Sequence, residues 1–205
     1  MHMPTGVVNL PEPARPGKMP VESALFGRIS TREFKEISLS IMEISQLVWA
    51  ALGVNRPNGY RTCPSAGALF PLEIHLAAGS VDGLSPGIYR YDPLNHRLLL
   101  SNERDLRREL TDAALGQSMI ARAPVTIVIT AVPDRTTRKY GERGMRYVFM
   151  EAGHAAQSIH LQAVSLGLGT VVVGAFRDDA VKQILGLEVD EIPLLMMPAG
   201  HRLRE

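Results

Sequence analysis

The stretch RISTREF, residues 28–34, places two arginines and a serine at alternate positions. If this segment is extended, Arg28, Ser30 and Arg32 all point to one side, because side chains alternate between the two faces of a strand. Such a set could bind a phosphate and a second electron-rich group close by, since a guanidinium binds phosphate through two parallel hydrogen bonds. A solvated loop is the commoner origin of such a charged pattern. The residues alone leave both interpretations open.

A second basic segment, RTTRKYGERGMR at residues 135–146, precedes the longest predicted helix. We interpret it as a loop, either simply solvated or acting as a gate over a pocket. In the second case Lys139 and Tyr140 are the candidate proton donors or acceptors, because loops on a rigid scaffold often carry function. Composition does not decide between the two.

Other chemical motifs have simpler explanations. GLGTVV, from Gly167, lacks the third glycine of a dinucleotide-binding loop and runs from helix to strand instead of strand to helix. A helix stop explains it better. Glu151 and His154 have the spacing of carboxylate-bridged iron bundles, but no second such pair is found, so we predict no metal. Cys63 is a lone thiol with no sign of activation.

Composition indicates one globular domain. The chain has 205 residues, 45% hydrophobic and 21% charged, with a net charge of +1. This charge balance does not suggest a nucleic-acid partner. No apolar stretch reaches the ~20 residues of a membrane helix. With a single cysteine and no secretory signal, a cytoplasmic location is expected. Residues 1–20, which contain five prolines, are expected to be an extended arm, loose or lying on a neighbour, ahead of one domain at 21–205.

Hydrophobic periodicity predicts alternating helices and strands. Ser40 and Glu43 form an S-x-x-E capping box at the start of the first strong helix. Helices are predicted at 40–52, 103–117, 145–166 and 178–185, and strands beginning at Leu72, Gly87, Arg97, Pro124, Thr170 and Pro193. The run PVTIVITAV is expected to be a central strand buried on both faces. Because hairpin-like turns also occur, we predict an α+β fold with a mixed central β-sheet flanked by helices.

Four segments taken together resemble the nitroreductase family of flavoproteins. They are RISTREF, PSAGALFPLE at 64–73, EAGHAAQSIHLQAVSLGLGTVVVGAF at 151–176, and EIPLLMMPAG at 191–200, in the family's order. The resemblance covers nearly the whole chain after residue 20. It is closest to the SagB-type branch, which includes azoline dehydrogenases of thiazole and oxazole peptide biosynthesis. PSAGALFPLE and the KYG at 139–141 are typical of that branch. Other nitroreductases usually have asparagine where Ala68 stands and tryptophan where Leu72 stands.

The resemblance implies a nitroreductase-like α+β fold and an intertwined homodimer with FMN at the subunit interface. It assigns these residues to cofactor binding: Arg28, Ile29, Ser30, Arg32, Pro64, Ser65, Ala66, Gln117, Val173, Gly174, Ala175, His201 and Arg202. Residues 28–30 match the contacts to the phosphate and ribityl chain, and Arg32 the contact to the N1/O2 edge of the ring. Residues 64–66 match the segment that contacts the flavin from the other subunit. Gln117 matches a contact to the pyrimidine edge of the ring, and residues 173–175 match the segment near N5. Residues 201–202 match a basic pair at the phosphate.

The implied activity is that of an FMN-dependent oxidoreductase. Hydride would pass through flavin N5 from NAD(P)H to a small organic acceptor, such as a nitro compound or a quinone. An alternative is a SagB-type dehydrogenase that oxidises an azoline-like or other organic substrate. In that case Lys139 or Tyr140 removes a proton as hydride passes to FMN. A third alternative is a flavin-binding protein without turnover.

Overall fold

The computed structural model describes residues 6–203 and forms an α+β fold. The strands of this part of the chain are β1 (Gly6–Asn9), β2 (Leu39–Ser40), β3 (Leu72–Ala78), β4 (Val81–Asp82), β5 (Gly87–Asp92), β6 (Arg97–Asn102), β7 (Val125–Ala131), β8 (Leu168–Thr170) and β9 (Ile192–His201). The α-helices are α1 (Val21–Gly27), α2 (Ile41–Leu52), α3 (Arg107–Ala113), α4 (Met119–Arg122), α5 (Asp134–Tyr140), α6 (Arg143–Ser165) and α7 (Asp178–Leu185). None of these helices is long and apolar enough to span a bilayer.

A seven-stranded sheet forms the centre, in the order β1-β6-β5-β3-β7-β9-β8. Every neighbouring pair in it is antiparallel. Parallel pairing in the described residues is confined to the short β2–β4 ladder and one bridge between Ser30 and Thr170. The predicted α+β class, with a central sheet flanked by helices, is therefore confirmed, while the sheet itself is more uniformly antiparallel than the sequence suggested.

Strand β7 is buried along its whole length, between β3 and β9. Ile127 packs in the apolar cluster formed with α2 and α6, and its neighbour Val128 packs in the cluster formed with α3, α4 and α7. Successive side chains of a strand face opposite sides, so a run of β-branched residues can fill both layers. The prediction of a central strand buried on both faces is confirmed.

The ends of the two long helices follow local sequence signals. At the start of α2, the Ser40 hydroxyl accepts the Glu43 N–H, and the Glu43 carboxylate accepts the Ser40 N–H at 2.7 Å. Helix α6 ends before Gly167, which has a left-handed φ of +73°. A Cβ on Gly169 would lie 2.6 Å from the Thr31 side chain. The glycines of GLGTVV therefore serve a helix stop and a close packing contact.

Several element boundaries differ from the sequence predictions. The helix predicted at 103–117 is shorter in the structure: α3 covers only Arg107–Ala113, Leu115 and Gly116 after it adopt positive φ angles, and α4 begins at Met119. The strand predicted to begin at Thr170 instead ends there, because β8 covers Leu168–Thr170. Beyond it, residues 171–176 make one isolated bridge, between Val173 and Met196. Helix α7, in contrast, covers the predicted residues 178–185.

The interpretation of residues 135–146 as a loop is wrong. The segment forms α5 and the first turn of α6. A Cβ on Gly144 would lie 2.8 Å from the Thr137 Cα, so this glycine lets α5 pack closely across α6. Helix α5 is short and polar and lacks an apolar period, which is why the sequence pattern does not reveal it.

The proline-rich N-terminal segment lies on its own subunit where it is described. Residues 6–9 pair with β6 as an edge strand, and Leu10 is buried. The His96 ring nitrogen Nε2 lies 3.0 Å from the Pro11 carbonyl, and the Leu10 N–H donates to the His96 carbonyl. Residues 1–5 of the predicted arm lie outside the described residues.

Candidate functional site

The segment 28–34 lies along the edge of the sheet beside β8. The Thr31 N–H donates to the Thr170 carbonyl, and the Lys35 N–H donates to the His201 carbonyl, both at 2.9 Å. Thr31 packs against Gly169 and Phe34 is buried, whereas Ser30 and Arg32 are exposed and Arg28 is half-buried. Within residues 6–203 neither arginine makes a hydrogen bond or ion pair. The backbone of the segment is thus held at the sheet edge, and both guanidinium groups remain free for another group.

A cleft of about 630 Å³ lies beside Arg28. Its walls are Arg28, one face of α6, the segment 172–176 and the start of β9. Two wall positions are glycines with open space in front of them. A Cβ on Gly153 would meet no atom within 4 Å, and one on Gly174 would meet only Leu195, at 3.9 Å. Ligand sites commonly have about 300–1,000 Å³, so the cleft is large enough for a cofactor or substrate.

Two charged residues, Arg28 and Asp178, line this cleft. His160 lines the same cleft and is 6% exposed. Burial, followed by the positive charge of Arg28, lowers the pKa of His160. His160 is therefore neutral near pH 7. The buried hydroxyls of Thr31 and Thr170 next to the arginine segment have no hydrogen-bond partner among the described residues. An anion that also accepts hydrogen bonds suits this surface.

The side chain of Arg202 contacts the backbone just before residues 28–34, whereas the side chain of His201 points to α2. Arg202 Nε donates to the Leu168 carbonyl at 2.9 Å, and Arg202 Nη2 to the Gly27 carbonyl at 3.5 Å. Arg202 therefore ties the residue before Arg28 to β8. His201 Nε2 lies 3.5 Å from Glu43 Oε1, in the capping box of α2.

The segment 173–175 is held between β9 and the connection from α3 to α4. Val173 exchanges two backbone hydrogen bonds with Met196. The Gln117 side-chain amide donates to the Ala175 carbonyl at 3.1 Å and to the Ala114 carbonyl at 3.0 Å. Gln117 thus fixes this segment, and its side-chain oxygen stays available to a ligand.

A second group of candidate residues lies at the turn formed by 64–70. The Ala66 N–H donates to the Glu151 carboxylate of α6 at 2.9 Å, and the Phe70 N–H donates to the Ser65 hydroxyl at 2.9 Å. Ser65 therefore uses its hydroxyl within the turn. Gly67 and Ala68 both have left-handed φ angles, +63° and +54°. The turn is thus bent away from ordinary backbone geometry and tied to α6.

Lys139 and Tyr140 lie against this same turn. A Cβ on Gly67 would be 3.0 Å from Lys139 Nζ and 2.8 Å from Tyr140 Oη. Arg135 fixes α5 in place, because its guanidinium contacts the Glu73 carboxylate at 2.7 Å and the Phe70 carbonyl at 3.0 Å. The structure therefore brings the lysine and tyrosine to Gly67, in the turn that also contains Pro64, Ser65 and Ala66, and not to Arg28.

The two groups of residues contact different sides of α6. Glu151 faces the turn, while Ala152, Gly153 and Ala156 line the cleft. Glu151 and Gly153 are about 200° apart around the helix axis, and a helix with its side chains is about 10–12 Å across. No hydrogen bond or ion pair among residues 6–203 joins the turn to the Arg28 segment. Within one subunit, the body of α6 lies between them.

Comparison with known proteins identifies the family. Residues 25–201 match the model of the Nitroreductase family. The chain belongs to the nitroreductase family. It is 45% identical over 183 residues to a nitroreductase-family protein of Methanocaldococcus jannaschii, covering 89% of this chain and 91% of the relative.

Solved structures of the family agree with this fold. A nitroreductase-family crystal structure from Ralstonia eutropha has a TM-score of 0.85 and 33% identity, with 97% of this chain and 90% of that chain covered. A chain of the Escherichia coli microcin synthetase McbBCD complex, solved with truncated pro-MccB17 bound, has a TM-score of 0.75 and 26% identity. That match covers 84% of this chain and 68% of the other.

In this nitroreductase-family chain, three polar residues were not predicted as site residues from the sequence. Two of them are buried, Glu151 beneath the turn and His160 in the cleft, and the third is the half-buried Arg61, whose guanidinium lies 4.6 Å from the centre of the Phe70 ring. Burial lowers the pKa of Arg61. The spacing of Gly153, Ala156 and His160 places them on one helix face, but a core-facing stripe has the same spacing.

Cys63 lies next to Glu151, the glutamate of the E-x-x-H pair considered as a metal ligand. Burial, and then the charge of Glu151, raise the pKa of Cys63 to about 12, so the thiol stays protonated. Glu151 faces Ala66, while His154 is exposed. Among the described residues no group of three or more His, Cys, Asp or Glu side chains could hold a metal ion.

Proposed function

We propose that this protein is an FMN-dependent oxidoreductase whose active site forms between two copies of the chain. The observation that carries the proposal is the cleft beside Arg28, which combines an arginine without an ion-pair partner among the described residues with two glycines in its walls. Arg28 and Ser30 would bind the phosphate and ribityl chain, with Ile29 between them and Arg202 holding the segment in place. Charge-assisted hydrogen bonds from arginine to phosphate are among the strongest in proteins.

The ring of FMN would lie near the segment 173–175. Bound there, FMN would supply hydride transfer at its N5 atom. Gly174 and Ala175 have little or no side chain, so the backbone can approach the ring closely. Arg32 would stabilise negative charge near N1. We propose NAD(P)H as the electron donor and a nitro compound or quinone-like molecule as the acceptor.

A homodimer accounts for the second group of residues. Pro64, Ser65 and Ala66 cannot reach the cleft of their own subunit around α6, so their contribution would go to the partner's cofactor. Large apolar side chains exposed on α1 and α6 support such a partner: Phe26 is 95%, Phe149 55% and Met150 58% exposed. Contiguous exposed apolar surface commonly marks a protein interface.

Titration of the FMN-free protein with FMN tests the proposal. Wild type should bind FMN, and Arg28→Gln should weaken binding by about tenfold or more, because a hydrogen bond to a charged group contributes about 1.5–3 kcal/mol. Arg122→Gln, at an exposed arginine of α4, is the matched control and should bind like wild type. A wild-type protein that takes up no FMN would refute the proposal.

A second candidate function is the SagB-type dehydrogenase reaction. It is favoured by the position of Lys139 and Tyr140 at the turn next to Gly67, which the dimer would present to the partner's cofactor. One of them would then remove a proton from an azoline-like or other organic substrate. Lys139→Ala should abolish oxidation of that substrate and leave NAD(P)H oxidation largely intact. Equal substrate oxidation by wild type and Lys139→Ala would exclude this role.

A further inference from the structure

Glu151 is a buried carboxylate to which the proposed redox chemistry gives no role. It is 4% exposed and lies in the middle of α6, on the side away from the cleft. Burial raises its pKa, and the hydrogen bond from the Ala66 N–H opposes that shift. A carboxylate is costly to bury unless hydrogen bonds compensate for lost water. The hydrogen bonds that Glu151 makes must therefore offset the cost of its burial.

These contacts go to the start of the turn at 64–70. Glu151 Oε1 accepts the Ala66 N–H at 2.9 Å, and the nearby Ser65 hydroxyl also lowers the pKa of this carboxylate. The Cys63 thiol points at the Glu151 main-chain carbonyl, with the sulfur 3.5 Å from the oxygen. Glu151 thus holds the chain on both sides of Pro64 and Ser65, at Cys63 through its main chain and at Ala66 through its side chain.

The turn needs such support because its backbone is strained. Gly67, Ala68 and Phe70 all have left-handed φ angles, and two of them carry side chains. Such conformations persist only where surrounding contacts impose them, and they cluster at functional sites. Arg135 anchors the far end at the Phe70 carbonyl. Glu151 anchors the near end, which carries Pro64, Ser65 and Ala66.

We infer that Glu151 is a positioning residue: it shapes the turn at 64–70 so that Pro64, Ser65 and Ala66 complete the cofactor site of the partner subunit. The inference rests on the proposed function. Glu151 acts on the partner's site because α6 separates this turn from the cleft of its own subunit. Helix α6 then contributes to two cofactor sites. Gly153 and Ala156 line the cleft of their own subunit, and Glu151 positions the turn that contacts the partner's cofactor.

Two substitutions of Glu151 separate positioning from charge. Glu151→Gln keeps an oxygen that can accept the Ala66 N–H, so FMN affinity should stay within about threefold of wild type. Glu151→Ala removes the acceptor and should weaken FMN binding by about tenfold or more. Glu191→Gln is the matched control, since Glu191 is a buried carboxylate bonded to His75 and Thr130 elsewhere in the fold. It should lower thermal stability without changing FMN affinity.

A mixed dimer tests whether the action crosses the interface. Chains carrying Arg28→Gln and Glu151→Ala are co-expressed with different tags, and the mixed dimer is purified. One of its two symmetry-related sites combines an intact Arg28 with an intact turn, so it should bind about one FMN per dimer with near wild-type affinity. Both parental homodimers should bind weakly. A mixed dimer that binds as weakly as its parents would overturn the inference.

Hydrogen exchange of the FMN-free protein keeps the inference separate from the proposed function. The Ala66 amide should exchange about tenfold faster or more in Glu151→Ala, and at the wild-type rate in Glu151→Gln. If wild type binds no FMN, the proposed function fails, and with it the role at the cofactor site. If wild type binds FMN but Glu151→Ala shows unchanged affinity and Ala66 exchange, only the role of Glu151 is wrong.

Discussion

Substitution of Gly67 by alanine tests the contact between the turn and α5. Gly67 has φ +63° and ψ 16°, and left-handed backbone costs a residue with a side chain about 1–2 kcal/mol. The new Cβ would also lie 2.8 Å from Tyr140 Oη and 3.0 Å from Lys139 Nζ, so both side-chain ends must move. Gly186→Ala is the matched control, because Gly186 has φ +65° and open space around its Cβ.

Both variants should lose stability, and Gly67→Ala should lose more. The backbone strain alone corresponds to a Tm lower by about 2–8 °C, at about 2–4 °C per kcal/mol for a domain of this size. Displacement of the two side chains should cost Gly67→Ala up to about 1 kcal/mol more. Tyr140→Phe in that background removes the nearest atom and should recover part of the difference. Thermal unfolding followed by circular dichroism measures each value.

Activity provides the second comparison. Gly67→Ala should reduce turnover of the substrate that depends on Lys139, while Gly186→Ala should leave it unchanged. Equal loss of stability in the two alanine variants, no recovery with Tyr140→Phe, and unchanged turnover would together refute the placement of Lys139 and Tyr140 against the turn.

Three further predictions concern stability. Glu191→Ala should lower the free energy of unfolding in urea by about 2–6 kcal/mol, because it leaves the His75 ring and the Thr130 hydroxyl without their buried hydrogen-bond partner at about 1–3 kcal/mol each, whereas Glu109→Ala, at an exposed ion pair, should lower it by less than about 1 kcal/mol; similar losses would contradict this. Burial lowers the pKa of His96, so the unfolded chain binds its proton more readily, and stability should be full above about pH 6.5 and fall below it. His96→Asn should flatten that fall in Tm, and an unchanged pH slope would contradict the assignment. Ala68→Gly should raise Tm by a few degrees by relieving its left-handed φ; a lower Tm would show that the alanine methyl is needed.

Elements with strong local signals could be predicted from the sequence. The β-branched run of β7 needs two apolar layers, the capping box of α2 marks its own start, and the apolar period of α6 extends over most of its length. In each case neighbouring residues contain the information. The alternation in RISTREF is likewise local, although its functional interpretation needed the family resemblance.

The missed features depend on contacts between distant parts of the chain. Helix α5 is held by Arg135 against Glu73 and by its packing on Gly144. Glu151 meets Ala66 across 85 positions of sequence. A glutamate in a helix gives no sign of such a partner, since the same residue type usually faces solvent. The site is therefore assembled by tertiary packing that periodicity does not encode.

The most direct test of the central claim is an absorbance spectrum of the purified protein after incubation with FMN and removal of the excess. It is recorded without oxygen, before and after addition of NADPH or NADH. We predict flavin bands that stay with the protein and bleach when the nicotinamide is added. Bands that stay but do not bleach would favour the substrate-oxidising or non-catalytic alternatives. A protein that retains no flavin at all would contradict the account.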